Sequence, residues 1–199
     1  MDFHNRYVKY SRALIILFIL AAAGNAYCAD SAQIGKIPDR IILNLTENPA
    51  TSQSVTWRTD EQVFSPQAQI EPAAELNEVG KNAVTVNAVT EEVKTDDGRT
   101  VYGYSVTFES LKPGTLYEYR VGSHEGWSEW SQFRTAATTS FSPFRFVYFG
   151  DPQNDVKSIC SRIFRAAYSK APDAKFWLFV GDIVNHGAVD KEWGELYYA

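Results

Sequence analysis

The sequence predicts two folded segments in one chain: an antiparallel β-sandwich over residues 38–135, then the first βαβ unit of an α/β domain from residue 144. Three observations carry this expectation. From Pro38 to Thr135, β-branched and aromatic residues alternate with polar ones in short runs separated by turn residues, the pattern of strands with one buried face. Beyond residue 143 the runs Phe144–Phe149 and Lys175–Val180 are densely apolar, as in strands buried on both faces. Between them Val156, Ile159, Cys160, Ile163, Phe164 and Ala167 recur at three- and four-residue spacing, which gives a helix one apolar face.

The first 29 residues stand apart from both segments. Arg6, Lys9 and Arg12 precede an apolar run from Ala13 to Ala23, and small and polar residues follow, which is the three-part plan of a secretory signal peptide. The run is shorter than the ~20 residues that cross a bilayer, so an uncleaved membrane anchor is the weaker reading. Cleavage after Ala26 suits Gly24 and Ala26 as the small-x-small pair, with cuts after Cys28 or Ala29 as alternatives; lipid modification of Cys28 lacks a small residue just before the cysteine. The expected location is outside the cytoplasm, periplasmic or extracellular, with no membrane attachment after cleavage. Cys28 at the processing site leaves Cys160 without a partner, so no disulfide framework is expected. Cys160, on the apolar helix face, reads as a buried small hydrophobe.

Composition narrows the partners. A formal net charge of −5 and an isoelectric point near 5.2 argue against nucleic acid or an anionic membrane surface, since both select basic patches. Hydrophobic residues at 45% supply enough material for packed cores, which excludes a disordered chain.

In the first segment the expected strands are Arg40–Thr46, Ser54–Thr59, Ala68–Glu71, Ala83–Val89, Val101–Leu111, Thr115–Gly122 and Trp130–Thr135. Val55 and Trp57 point the same way in theirs, making Trp57 a core anchor. Asp96-Asp97-Gly98 and Lys112-Pro113-Gly114 supply turns on either side of the longest strand. His124 falls in the last hairpin loop and reads as solvated. Residues 136–143, rich in Ala, Thr, Ser and Pro, read as a linker.

The stretch Leu111-Lys112-Pro113-Gly114-Thr115-Leu116-Tyr117-Glu118-Tyr119-Arg120-Val121 resembles the penultimate-strand motif of fibronectin type III domains, and Tyr117 takes the place of the tyrosine that ties strand to loop. With Pro38-Asp39-Arg40-Ile41 before it and Trp130-Ser131-Gln132-Phe133-Arg134-Thr135 after it, the segment resembles the small N-terminal domain of purple acid phosphatases.

In the second segment each apolar strand ends in Gly-Asp: Gly150-Asp151 and Gly181-Asp182. A strand, helix and strand joined this way make parallel neighbours with a right-handed crossover, and ligands of open α/β sheets sit beyond the carboxyl ends of the strands. Adjacent strands ~4.8 Å apart let the two carboxylates approach one centre, and their mutual repulsion is relieved by bound cations. Glycine before each aspartate is expected to make the sharp turn.

Gly150-Asp151-Pro152-Gln153 and Gly181-Asp182-Ile183-Val184-Asn185-His186-Gly187 resemble the first two metal motifs of calcineurin-like metallophosphoesterases. The resemblance implies that residues 144–199 begin that α/β metallophosphoesterase fold, that Asp151 binds one metal ion, that Asp182 bridges two, and that Gln153 is a further ligand where many members have histidine. It also makes Asn185 and His186 candidates to lie near the substrate, with a solvated loop residue as the other reading of His186. Asn185 stands where purple acid phosphatases carry an iron-bound tyrosine, which favours a colourless pair of divalent ions; iron, manganese and zinc all suit the donors. The implied activity is hydrolysis of a small-molecule phosphate ester. The family's later Gly-Asn-His motif and further histidines are not in these 199 residues, so the chain reads as an incomplete catalytic domain, inactive alone. A different reading places function in the sandwich, as a secreted adhesion or glycan-binding module followed by a vestigial stub, working through an exposed aromatic platform of Tyr102, Tyr104 or Trp127.

Overall fold

The computed structural model describes residues 34–138 and 143–199; the signal-peptide expectation and half of the linker, residues 139–142, lie outside them. Nine strands build the first segment: β1 (Asp39–Asn44), β2 (Gln53–Thr59), β3 (Gln67–Pro72), β4 (Val84–Asn87), β5 (Val89–Lys94), β6 (Thr100–Phe108), β7 (Leu116–Ser123), β8 (Gly126–Trp127) and β9 (Ser131–Arg134). Alternation sorts each strand's side chains. In β2 the residues Gln53, Val55, Trp57 and Thr59 are buried while those between are half-exposed, as a period of two dictates.

One sheet has the order β1-β2-β6-β5, and the other β4-β3-β7 with β8 and β9 both along the far edge of β7. Between β8 and β9 the ladder is repaired by Ser128, whose Oγ accepts the Val121 N–H at 3.1 Å. Gly122 makes this close approach possible: its φ is +143°, and a Cβ there would lie 2.2 Å from the Gly126 carbonyl oxygen. The inner faces of the two sheets share one core that includes Val55, Trp57, Ile70, Val106, Phe108, Tyr119 and Val121, with Trp57 stacked on Tyr104 at 5.5 Å. Tyr117 does what its place in the motif implies, its hydroxyl accepting the Lys112 N–H at 2.9 Å.

One strand expectation needs correction, and one strand, β5, was not expected at all. Ala83–Val89 is not one strand: the chain leaves the second sheet after Asn87 and enters the first at Val89, with the Ala88 N–H donating to the Pro66 carbonyl at 2.9 Å. Strand β5, Val89–Lys94, is exposed along its whole length. It shows no alternation because it covers no core, and its Glu91, Glu92 and Lys94 are the charges that keep an open sheet edge from pairing with another chain.

In the second segment β10 (Val147–Phe149) and β11 (Trp177–Phe179) pair in parallel, Val147 opposite Trp177 and Phe149 opposite Phe179. A π-helical turn, Val156–Cys160, leads into α1 (Ser161–Lys170), and α2 (Asp190–Tyr198) follows β11. Val156, Cys160 and Phe164 pack on Phe149, Trp177 and Phe179. Cys160 is buried as expected, its thiol donating to the Pro152 carbonyl at 3.2 Å. The strands are shorter than expected and are not buried on both faces. Tyr148, Leu178 and Val180 are 62%, 42% and 48% exposed, and Ile159 and Ile163 on the helix are about half exposed. The helical stretch Val156–Lys170 covers one face of the two-stranded sheet, with Leu196 and Ala199 of the α2 end packed against the same cluster, and among the described residues no layer covers the other face.

Candidate metal centre

Because β10 and β11 run the same way, their carboxyl ends open on the same side and the loops that follow leave as neighbours. The Val180 N–H donates to the Phe149 carbonyl at 3.1 Å, carrying the ladder past β11. The chain then turns at Gly181, with φ +110°, and Asp182, with φ +44°. In the other loop the left-handed residue is Asp151 itself, with φ +50°, rather than Gly150. The expectation that glycine makes each turn therefore holds at one site only. Aspartate is among the few side chains that tolerate this region.

Both Asp151 and Asp182 are exposed and Gln153 is half-buried. Among the described residues neither aspartate has a Lys, Arg or His partner within 4 Å, and no three His, Cys, Asp or Glu side chains form a metal-holding group. The two loops are tied together: Asn185 Nδ2 donates to the Gln153 carbonyl at 3.0 Å. The structure thus brings Gln153 and Asn185 into contact, through the main chain of one and the side chain of the other.

His186 is 73% exposed and engaged with α2. Its Nδ1 lies 2.7 Å from Glu192 Oε1, and its N–H donates to Glu192 Oε2 at 2.8 Å. The hydrogen bond from the His186 side chain, then that from its main chain, hold the Glu192 carboxyl below its usual pKa. Trp193 Nε1 donates to the Gly187 carbonyl at 2.8 Å. Sequence reading missed Glu192 and Trp193. A signal for Glu192 was present, since a glutamate in the first turn of a helix commonly reaches back to the main-chain N–H groups before it.

Of the three aromatics of the expected platform, Tyr102 is half-buried and packs against the sandwich core. Tyr104 is in the sandwich core, 3% exposed, and Arg120 occupies Trp127, its guanidinium 4.4 Å from that ring and 4.9 Å from Trp130.

Residues 38–135 match the family model of the purple acid phosphatase N-terminal domain. This segment is a purple acid phosphatase N-terminal domain. The chain is also 30% identical, over 174 residues, to acid phosphatase type 7 of Homo sapiens, a match covering 85% of this chain and 36% of the relative. Its fold is similar to that of the purple acid phosphatase PPD1 from yellow lupin (Lupinus luteus) seeds, with a TM-score of 0.61 at 15% identity, over 82% of this chain and 33% of that one. The chain therefore spans about a third of the length of each relative. The purple acid phosphatase N-terminal domain supplies the larger part of the described structure, and no helix among the described residues is long and apolar enough to cross a membrane.

Proposed function

We propose that the chain is part of an exported, metal-dependent phosphoesterase in which residues 144–199 begin a calcineurin-like catalytic domain and Asp151 and Asp182 hold two divalent metal ions. One observation carries the reading: two aspartate loops leave the same ends of adjacent parallel strands and are hydrogen-bonded to each other through Asn185 and Gln153. The match to acid phosphatase type 7 supports it further, because its 174 residues exceed what the N-terminal domain holds and so extend into the second segment.

The residues fit the ions. Two carboxylates and a carboxamide offer hard oxygen donors that suit divalent cations, and no protein cation neutralises either carboxylate among the described residues. Asp182 would bridge, Asp151 would hold the first ion and Gln153 would add an oxygen. A bound metal pair supplies charge neutralisation at phosphoryl oxygens and a water of lowered pKa. The protein's own part is to hold Asp151 and Asp182 in left-handed backbone on rigid strand ends and to fix the spacing of their loops through Asn185. His186 stands at the edge of the site, oriented by Glu192. The substrate class is a small phosphate ester, and the absence of a tyrosine at 185 predicts a colourless protein.

The test is hydrolysis of a generic phosphomonoester and a generic diester by the full-length gene product that contains this chain. Chelator-sensitive turnover, abolished by Asp182→Asn, is expected. Residues 30–199 alone are expected to show none. Activity that survives Asp182→Asn, or robust turnover by residues 30–199, would contradict the assignment.

A further inference from the structure

The contact between the purple acid phosphatase N-terminal domain and α2 is concentrated on one carboxylate. Asp190, the first residue of α2, has a side chain only 14% exposed and meets three arginines from the sandwich. Arg40 Nη1 donates to its Oδ1 at 2.6 Å, and Arg40 Nη2 to its Oδ2 at 3.1 Å and its carbonyl at 3.2 Å. Arg58 Nη1 reaches both carboxylate oxygens at 3.2 Å, and Arg99 Nη2 reaches Oδ2 at 3.3 Å. The sandwich also caps the helix, since Asp96 Oδ1 accepts the Asp190 N–H at 2.9 Å.

The arginines are themselves held. Arg58 is gripped by Asp39, Nε to Oδ1 at 3.0 Å and Nη2 to Oδ2 at 2.6 Å. Arg40 sits where the pairing of β1 with β2 slips between Asp39 and Ile42, with φ +50°. A non-glycine residue in that region is strained and persists only where its surroundings enforce it. Its guanidinium also lies 5.5 Å from the ring centre of Tyr197 in α2.

Partly buried ion pairs contribute little net stability because desolvation offsets attraction, while their directional hydrogen bonds fix orientation. What this clamp orients is the start of α2, and the start of α2 holds the loop before it. Glu192 grips His186, Trp193 grips Gly187, and the Val189 N–H donates to the His186 carbonyl at 2.8 Å. Asn185, next in line, reaches the other aspartate loop.

We propose that Arg40, Arg58 and Asp190 are positioning residues for the phosphoesterase site: the N-terminal domain, through this clamp, fixes the loop that runs from Asp182 to Val189. The proposal rests on the assignment of Asp182 to the site, and it gives the sandwich a role in turnover rather than in stability alone.

The test uses the full-length protein with Asp190→Asn, a near-isosteric change that removes the charge, and measures amide hydrogen exchange in residues 181–189 beside kcat and KM. Exchange there should rise about tenfold, and kcat should fall about 10- to 100-fold, the scale on which slight misplacement of a site acts, with KM little changed. Arg40→Lys, which keeps the charge but loses the planar fork, should fall between. Tyr117→Phe, which weakens the sandwich away from the clamp, should leave both kcat and loop exchange as in the parent. Unchanged exchange in 181–189 would overturn the proposal whatever the activity does, and so would unchanged kcat in a protein that Asp182→Asn inactivates. Activity that survives Asp182→Asn would instead overturn the site assignment itself.

Discussion

Twelve buried residues, ten from two facing sheets and two, Val63 and Leu111, from loops, form the core of the N-terminal domain, whereas three form the nucleus of the second segment. The first core is closed. Trp57, Val55 and Phe108 are almost wholly buried, while in the second segment Phe144, Phe146, Tyr148, Ile159 and Ile163 are about half exposed or more. Apolar surface of that extent is where a soluble protein packs against something else. The difference is one of closure: the sandwich buries its own core between two sheets, whereas among the described residues the two-stranded segment leaves one face of its strands open.

The comparison is sharpest at the cores. Trp57→Ala or Phe108→Ala should cost the sandwich about 3–5 kcal/mol, the range for truncating a buried aromatic, read from denaturant unfolding of residues 38–135. Phe164→Ala should disorder the second segment while the sandwich transition stays in place. If Phe164→Ala shifts the sandwich midpoint as far as Trp57→Ala does, the two segments fold as one unit and the separation fails.

A smaller effect is expected at the strand-to-loop tie. Tyr117→Phe removes the acceptor for the Lys112 N–H and should cost about 1 kcal/mol, the usual net worth of one hydrogen bond. An unchanged midpoint would mean that the tie contributes nothing to the sandwich.

The contact between the segments should depend on pH only in acid. Burial works against the charge of Asp190, yet its hydrogen bond with Arg40 and the nearby Arg40 and Arg58 charges outweigh this and hold its pKa below the ordinary 3.8. The folded pKa is therefore depressed, so the stabilisation is fully present above 3.8 and is lost as pH falls through the lower folded value. Protease sensitivity of the 181–189 loop should be flat from neutral pH to about 4 and should rise only below that. A rise centred well above about pH 4 would contradict the assignment of this contact to Asp190.

The least effect is expected on the open edge. Val89→Thr in β5, where Val89 is 71% exposed, should change stability by less than about 0.5 kcal/mol.

How much of this was legible follows from what each residue covers. Trp57 and Tyr117 could be placed from the sequence because alternation and a turn motif record burial directly. Strand β5 could not, since Thr90, Glu91 and Glu92 face water and leave no periodic trace. The two Gly-Asp strand ends were readable as a pair because apolar runs precede both. The contact of Asn185 with Gln153 was not, because it depends on loop geometry that spacing does not encode. Equally hidden was the Asp190 clamp: its arginines lie 91 to 150 positions away, and no local pattern links them.

The central claim is that the two aspartate loops hold a metal pair. Elemental analysis of the full-length protein, purified without chelator, tests it most directly. About two divalent metal ions per chain are expected, the number a bridging carboxylate serves, and Asp182→Asn should lose at least one of them while the sandwich keeps its unfolding midpoint. A parent protein that hydrolyses phosphate esters with no bound metal, or an Asp182→Asn protein that keeps the full complement, would contradict the account.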